Sequence, residues 1–323
     1  MNKNTNLVNG NIKTAKKRIT RKDIYFGYGI DYKDGKIFAP VFGWIPELLI
    51  NGNEKIGDGV WHYSTLPTTN DYTAIVNGVE YTEKGTCPCT CGEYKKDKNG
   101  DYVLDKNGEK IFVTTCYGTK GNYVKNAKTI IPGLLVKSHL TRHYPDFVER
   151  AISAQIIADK IAVLRVHATG DFVEPEIDIF RNIAKAFPYV TFWTYTKVEK
   201  AESAFDDIYN FNVVKSFIPG KGFNYGTCSY IISLYEYLKQ MDIPVFICRC
   251  GVDKNQHCNE CSKCSENKYV LFLEHSTSYK PEKDPLYPVF CELVNSQDFI
   301  PVDIVARAES AKAQAEIMRQ AAN

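Results

Sequence analysis

Ile161-Ala162-Val163-Leu164-Arg165-Val166-His167-Ala168-Thr169-Gly170-Asp171-Phe172 is the stretch that decides the fold class. Its first six residues are apolar except for Arg165, and a helical pattern runs from Glu174 to Phe187 just beyond it. A short apolar run, then a polar turn, then period 3.6, reads as strand, loop and helix. In parallel β/α proteins, binding and catalytic groups collect at that strand end. Here Arg165, His167 and Asp171 offer a cation, a proton-transfer group and a carboxylate. Gly170 lets a ligand come close to the backbone. The bland alternative is an Arg165–Asp171 ion pair, with Asp171 capping the helix.

The same alternation extends on both sides. His139 to Asp159 has helical spacing, and Val190 to Tyr195 reads as a strand. Its end, Thr194-Tyr195-Thr196-Lys197, puts Lys197 at the same edge as Asp171. A helix over Glu199–Tyr209, a strand over Phe211–Ser216 and a helix over Thr227–Met241 follow. Strands over Ile243–Ile247 and Tyr269–Leu273 complete the series. Strands separated by helices predict a parallel sheet with right-handed crossovers. The expected fold is α/β, a full or partial parallel β/α barrel, with an open doubly wound sheet second. No glycine-rich phosphate fingerprint follows any strand, which weighs against a dinucleotide fold.

Four regions are expected. Residues 1–22 read as a flexible basic arm with Lys16, Lys17, Arg18 and Arg21. Residues 23–86 read as a β-rich portion, with hairpin signals at Asp34-Gly35, Asn51-Gly52 and Asn77-Gly78. Residues 87–275 form the α/β core, interrupted at 93–113 by a β-ribbon in which Asp97-Lys98-Asn99-Gly100 recurs as Asp105-Lys106-Asn107-Gly108. Residues 276–323 are an extension ending in an Ala-rich helix.

The 323 residues carry eleven cysteines, an odd number in a chain without a signal-peptide pattern at its start. Metal ligation in a reducing cytosol fits that better than a disulfide framework. Cys87, Cys89 and Cys91 fall within five residues, and Cys116 follows the ribbon. Soft thiolates converging from loops suit a 4Fe–4S cluster, and zinc accepts them too. Cys248 and Cys250 precede a second run, Cys258, Cys261 and Cys264, with His257 beside it. Four of these five thiols, or three with His257, would hold a second 4Fe–4S cluster or zinc. Cys228 and Cys291 read as ordinary small hydrophobes. A net charge of +2 gives no global argument for nucleic acid. No apolar run is long enough to span a membrane.

Taken in order, Cys87-Pro88, Cys116-Tyr117-Gly118, Arg165 to Phe172, Phe192 to Lys197 and Cys258-x2-Cys261-x2-Cys264 resemble the gene product 88 family of bacteriophages and mobile elements. Trp61 to Pro67 is similar to that family's approach to its first cysteines, and the likeness covers roughly residues 60–275. The layout also looks like that of radical S-adenosylmethionine enzymes. That resemblance implies a 4Fe–4S cluster on Cys87, Cys91 and Cys116, with S-adenosylmethionine contacted by Gly170 and Asp171 and by the strand end at Thr194 and Lys197. The usual Cys-x3-Cys-x2-Cys spacing is absent here, and Cys89 is an extra thiol.

The leading expectation is therefore a radical-SAM-like iron–sulfur enzyme in the cytoplasm, that of the host if phage-encoded. Its substrate is unknown, with a nucleotide or nucleic acid among the candidates, and it would need a reductant protein. The alternatives are a zinc-stabilised nucleic-acid-binding or replication protein, a zinc-bearing barrel exchanging bases with Asp171 as nucleophile and His275 near the metal, and a non-catalytic metal buffer.

Overall fold

The computed structural model describes residues 19–52, 56–95, 97, 99–114, 116–119, 122–253, 255–274 and 279–299, with 303, 305, 306, 309, 310 and 313. Most of the basic arm, His275 and most of the C-terminal helix expected from the sequence lie outside the described residues.

The core is a parallel sheet of β1 (Val60–Tyr63), β2 (Val163–Val166), β3 (Thr191–Thr196) and β4 (Phe211–Lys215), in spatial order β4-β3-β2-β1. Ile50–Asn51 pairs antiparallel with the outer edge of β1. The register sets Arg165 of β2 beside His62 of β1 and Trp193 of β3. β2 is buried on both faces, so its sequence runs apolar rather than alternating. Helices α1 (Ala127–His143), α2 (Pro145–Ala158), α3 (Glu174–Ala186) and α4 (Glu199–Ala204) accompany this sheet. α3 turns Ile177, Phe180, Ile183 and Ala184 inward at spacings of three and four, the signature of one buried helix face. Phe180 meets Tyr63 edge to face at 5.6 Å, which ties the helix to β1.

A second, smaller parallel sheet is built from β5 (Tyr225–Gly226), β6 (Phe246–Ile247) and β7 (Val270–Leu273), in order β5-β7-β6. It packs with α5 (Cys228–Gln240) and α7 (Tyr287–Asn295), while the one-turn α6 (Lys263–Glu266) lies against β3 and β4. The two sheets are stitched together by backbone: Lys215 N–H donates to Lys268 O, Asn224 N–H to Ser216 O, and Phe272 N–H to Asn224 O. Among the described residues these ladders do not close a barrel. The fold is mixed α/β with several sheets.

Several elements differ from expectation. The strand Val60–Tyr63 belongs to the main sheet, not to a separate β-rich portion. Its partner β2 lies about a hundred residues on, and a non-local parallel pairing leaves no local signal. The helix expected over His139–Asp159 is two helices. Tyr144 precedes Pro145, whose ring disfavours helical geometry one residue upstream, and α1 begins earlier, at Ala127. The strand expected from Ile243 shrinks to Phe246–Ile247. A helix over Arg21–Gly27, capped by Thr20, lies across the expected end of the arm.

The turn chemistry matches the residues that carry it. Asp34-Gly35 and Asn77-Gly78 both take positive φ at each position, as a two-residue hairpin turn demands. The tandem repeat forms two copies of one turn. Asp97 Oδ1 accepts from Asn99 and Asp101 N–H, and Asp105 Oδ1 accepts from Asn107 and Glu109 N–H. Gly92–Tyr94 pairs antiparallel with Phe112–Thr114 at the base of this ribbon. No helix among the described residues is long and apolar enough to cross a membrane.

Candidate metal centre and substrate cavity

The loop carrying Cys87 is held from below by threonines. Thr86 Oγ1 donates to Leu66 O, accepts from Asp171 N–H at 2.9 Å, and lies 2.9 Å from Thr65 Oγ1. Cys87 N–H donates to Thr68 O. The strand-end loop presses against this threonine pair. Gly170 has φ +86°, and a Cβ there would overlap Thr65 Oγ1. Gly118 is equally confined, since a Cβ would overlap Thr169 Oγ1 and meet the Pro67 ring at 2.7 Å. Two glycines thus bring the Cys116 segment, the Cys87 loop and the end of β2 to one point.

Asp171 is fully buried there. Its carboxylate accepts from Thr196 Oγ1 (2.6 Å), Lys197 N–H (2.9 Å) and Phe172 N–H (2.9 Å). It therefore laces β2 to the end of β3; it neither caps α3 nor pairs with Arg165. Burial alone would lower the Lys197 ammonium, but Asp171 and the thiols of Cys91, Cys87 and Cys116 hold it above its ordinary value. Burial pushes the Cys87 thiol up to about 12 and raises Cys116 as well. Such thiols stay protonated at neutral pH unless a metal displaces the proton.

His167 follows β2 in a left-handed conformation, φ +61°, a strained state for a residue with a side chain. Its Nε2 lies 2.9 Å from Glu176 Oε1, both side chains being buried, while Nδ1 is buried without a partner among the described residues. Glu176 also accepts from Val173 N–H at the start of α3. The sequence reading missed Glu176. A Glu three residues into a helix reads as a cap, and only the tertiary structure turns it toward His167.

The second cysteine group stands at the ends of β6 and β7. Cys248 continues the ladder through Leu271 O, and its thiol contacts that of Cys250. Cys264, at the start of α6, accepts the Tyr195 hydroxyl at 2.9 Å, and Asn212 of β4 holds its carbonyl. Burial raises the thiol of Cys264 and takes that of Cys261 up to about 11. The Arg165 guanidinium lies over the Tyr195 ring, 4.8 Å from its centroid.

One cavity of about 270 Å³ joins these parts. Cys87, Cys91 and Cys116 line one side, and Cys248, Cys250, Cys258 and Cys264 line another. Arg165, His167, Gly170 and Lys197 also reach its wall. Cys89, whose thiol contacts that of Cys91, and Cys261, near Cys258 and Cys250, do not line it, and Thr194 is buried inside β3. Among the described residues, no three cysteine sulfurs lie within 4.8 Å of one another. The group that meets that distance is Glu83, His139 and His143. Glu83 is already engaged there by Arg142 at 2.6 Å, whose guanidinium also holds Lys84 O and Gly85 O. That arrangement works as a clamp on the strand leading to Cys87.

Fold and site together define a mixed α/β protein whose parallel strand ends border a cavity lined in part by cysteines. Residues 47–218, more than half of the chain, match the family described as Gene product 88, and the chain belongs to that family. The matched span holds the first cysteine group and the ends of β2 and β3; the second cysteine group lies beyond it, short of the 60–275 expected from the motifs. The chain matches no curated protein and no solved structure.

Proposed function

We propose that this chain is a radical-SAM-like iron–sulfur enzyme of phage origin that works in the host cytoplasm. The observation that carries the reading is the single cavity with thiols of both cysteine groups on its wall. The placement of strand ends from both sheets around it supports a partial β/α barrel. Three thiols of the first group face the cavity while Cys89 does not, a donor set that suits a 4Fe–4S cluster with one iron left open. Cys87, Cys91 and Cys116 would hold such a cluster, which would supply one electron, drawn from a reductant protein, to S-adenosylmethionine. Lys197 offsets the negative charge of the Cys87, Cys91 and Cys116 thiolates, and Asp171 fixes the β3 end that presents it. Gly170 leaves the backbone open beside them. Asp171 is saturated by donors, which argues against a nucleophilic role and the base-exchange reading.

A tetrahedral zinc ion needs its sulfurs about 3.8 Å apart, given Zn–S bonds of about 2.3 Å. Among the described residues no three cysteine sulfurs come that close, so the iron–sulfur reading rests on the three thiols that share the cavity wall. The touching pairs Cys248–Cys250 and Cys89–Cys91 leave zinc as the second reading for either group.

Anaerobic purification tests the proposal. Brown protein with broad absorbance near 400 nm, yielding 5′-deoxyadenosine with dithionite and S-adenosylmethionine, is the expected result (about 400 nm being general for such clusters). Cys116→Ser should remove one cluster's worth of iron. Colourless protein with stoichiometric zinc in both groups would overturn it.

A further inference from the structure

Arg165 stands out among the charged groups of the cavity. Its side chain is half-buried, and it reaches the wall of the cavity. Its Nε is buried with no hydrogen-bond partner, and among the described residues the guanidinium makes no hydrogen bond and no ion pair. Glu274 is the carboxylate on the cavity wall, yet it does not pair with Arg165. The other cation, Lys197, is balanced by Asp171 on the far side. The electronegative groups around Arg165 are the Tyr195 face, the Tyr123 phenol and the thiols of Cys258 and Cys264.

A buried guanidinium left without a carboxylate is costly, and natural structures supply a counter-charge. The planar fork also matches carboxylate and phosphate oxygens two at a time. Tyr195 restricts the fork twice. Its ring supports one face of the guanidinium, and its hydroxyl is committed to Cys264. The register between Trp193 and His62 sets Arg165 in the middle of the sheet, near Cys258 and Cys264 of the second group.

We propose that Arg165, backed by Tyr195, forms an oxyanion subsite in this cavity, which takes a carboxylate or phosphate group of the substrate. The subsite deepens the reading of the cavity as a substrate site. It makes the substrate an anion and places its charged end toward the second cysteine group. The guanidinium acts by binding and orienting, and takes no part in proton transfer.

The test is calorimetric titration of the full chain with inorganic phosphate and, separately, acetate, with metal content measured on the same samples. Saturable binding is expected, weakened at least about tenfold by Arg165→Met and less by Arg165→Lys, with metal content unchanged in both (a charge-assisted bidentate contact is of that size). Tighter binding of phosphate assigns the subsite to a phosphorylated substrate, and tighter binding of acetate to a carboxylic acid. Equal affinity in the wild type and Arg165→Met overturns the proposal. So does loss of metal from the second cysteine group in both variants, which would make Arg165 a counter-ion of that group. Arg165-dependent binding by a chain that carries no iron would keep the subsite and overturn the iron–sulfur reading.

Discussion

Gly170 shows how narrowly single residues are specified here. Its φ of +86° and the Thr65 hydroxyl in its missing side-chain space both exclude a Cβ. Gly170→Ala is therefore expected to cost at least about 2 kcal/mol and to loosen the Cys87 loop, measured by urea unfolding and by metal content. Full stability in that variant would show that the loop does not pack on β2. Lys137 supplies a pH test. It is buried in α1 below Tyr63, and burial brings its ammonium from 10.5 down to about 8. Below the lower value both folded and unfolded chains carry the proton, and the whole cost of burying the charge is felt. Between the two values the unfolded chain holds a proton that the folded one lacks, so stability rises with pH across that window. Lys137→Met should raise stability by roughly 3 kcal/mol at neutral pH, and by little near pH 10. Urea titrations at the two pH values check this, and an equal gain at both would contradict it.

Among the elements, α3 carries two duties. Its apolar face covers β1 and β2, and its first turn supplies Glu176 to His167. Phe180→Ala should cost about 3–5 kcal/mol in urea unfolding, because the Tyr63 ring cannot move to fill the space. Glu176→Gln should instead leave the packing nearly intact and change the hydrogen bond to the imidazole. A shift of the His167 ring NMR signals with the unfolding midpoint unchanged separates the two duties. The ribbon behaves oppositely. Its tip, with the two Asp-anchored turns, contributes no residue to the cavity wall, whereas its base lies between Cys91 and Cys116. Replacing residues 96–110 by a two-residue turn is expected to leave metal content and melting temperature unchanged. A loss of metal would show that the repeat takes part in the centre. The helix-strand order from 161 to 273 was legible from periodicity. The break before Pro145 carried a signal that the apolar spacing outweighed.

At the scale of the whole molecule, the second cysteine group spans both sheets, Cys248 following β6 while Cys264 is held by Tyr195 and Asn212 of β3 and β4, and the backbone bonds from Lys215, Asn224 and Phe272 hold those sheets together. A centre in each group would tie long loops to both sheets, so metal should be a folding ligand as well as a cofactor. Chelation under reducing conditions is expected to lower the melting temperature of the wild type by several degrees or more. In a Cys116→Ser, Cys258→Ser double variant it should have little effect. A wild type whose melting temperature ignores chelation would show that the thiols do not hold metal in the folded chain.

The sequence by itself determined the α/β class, the hairpin turns at Asp34-Gly35 and Asn77-Gly78, the two thiol groups and the polar cluster at the end of β2, because periodicity, turn chemistry and cysteine spacing are local; Asn51-Gly52 is no such turn, since Asn51 pairs with Trp61 as a strand residue. Only the tertiary structure decided that Val60–Tyr63 lies beside β2, that Glu176 meets His167, that Asp171 serves Lys197 rather than Arg165, and that both thiol groups open on one cavity. Each of those is a meeting of residues far apart in the chain or on different elements, and which of them meet depends on how sheets and loops pack, something no window of sequence contains.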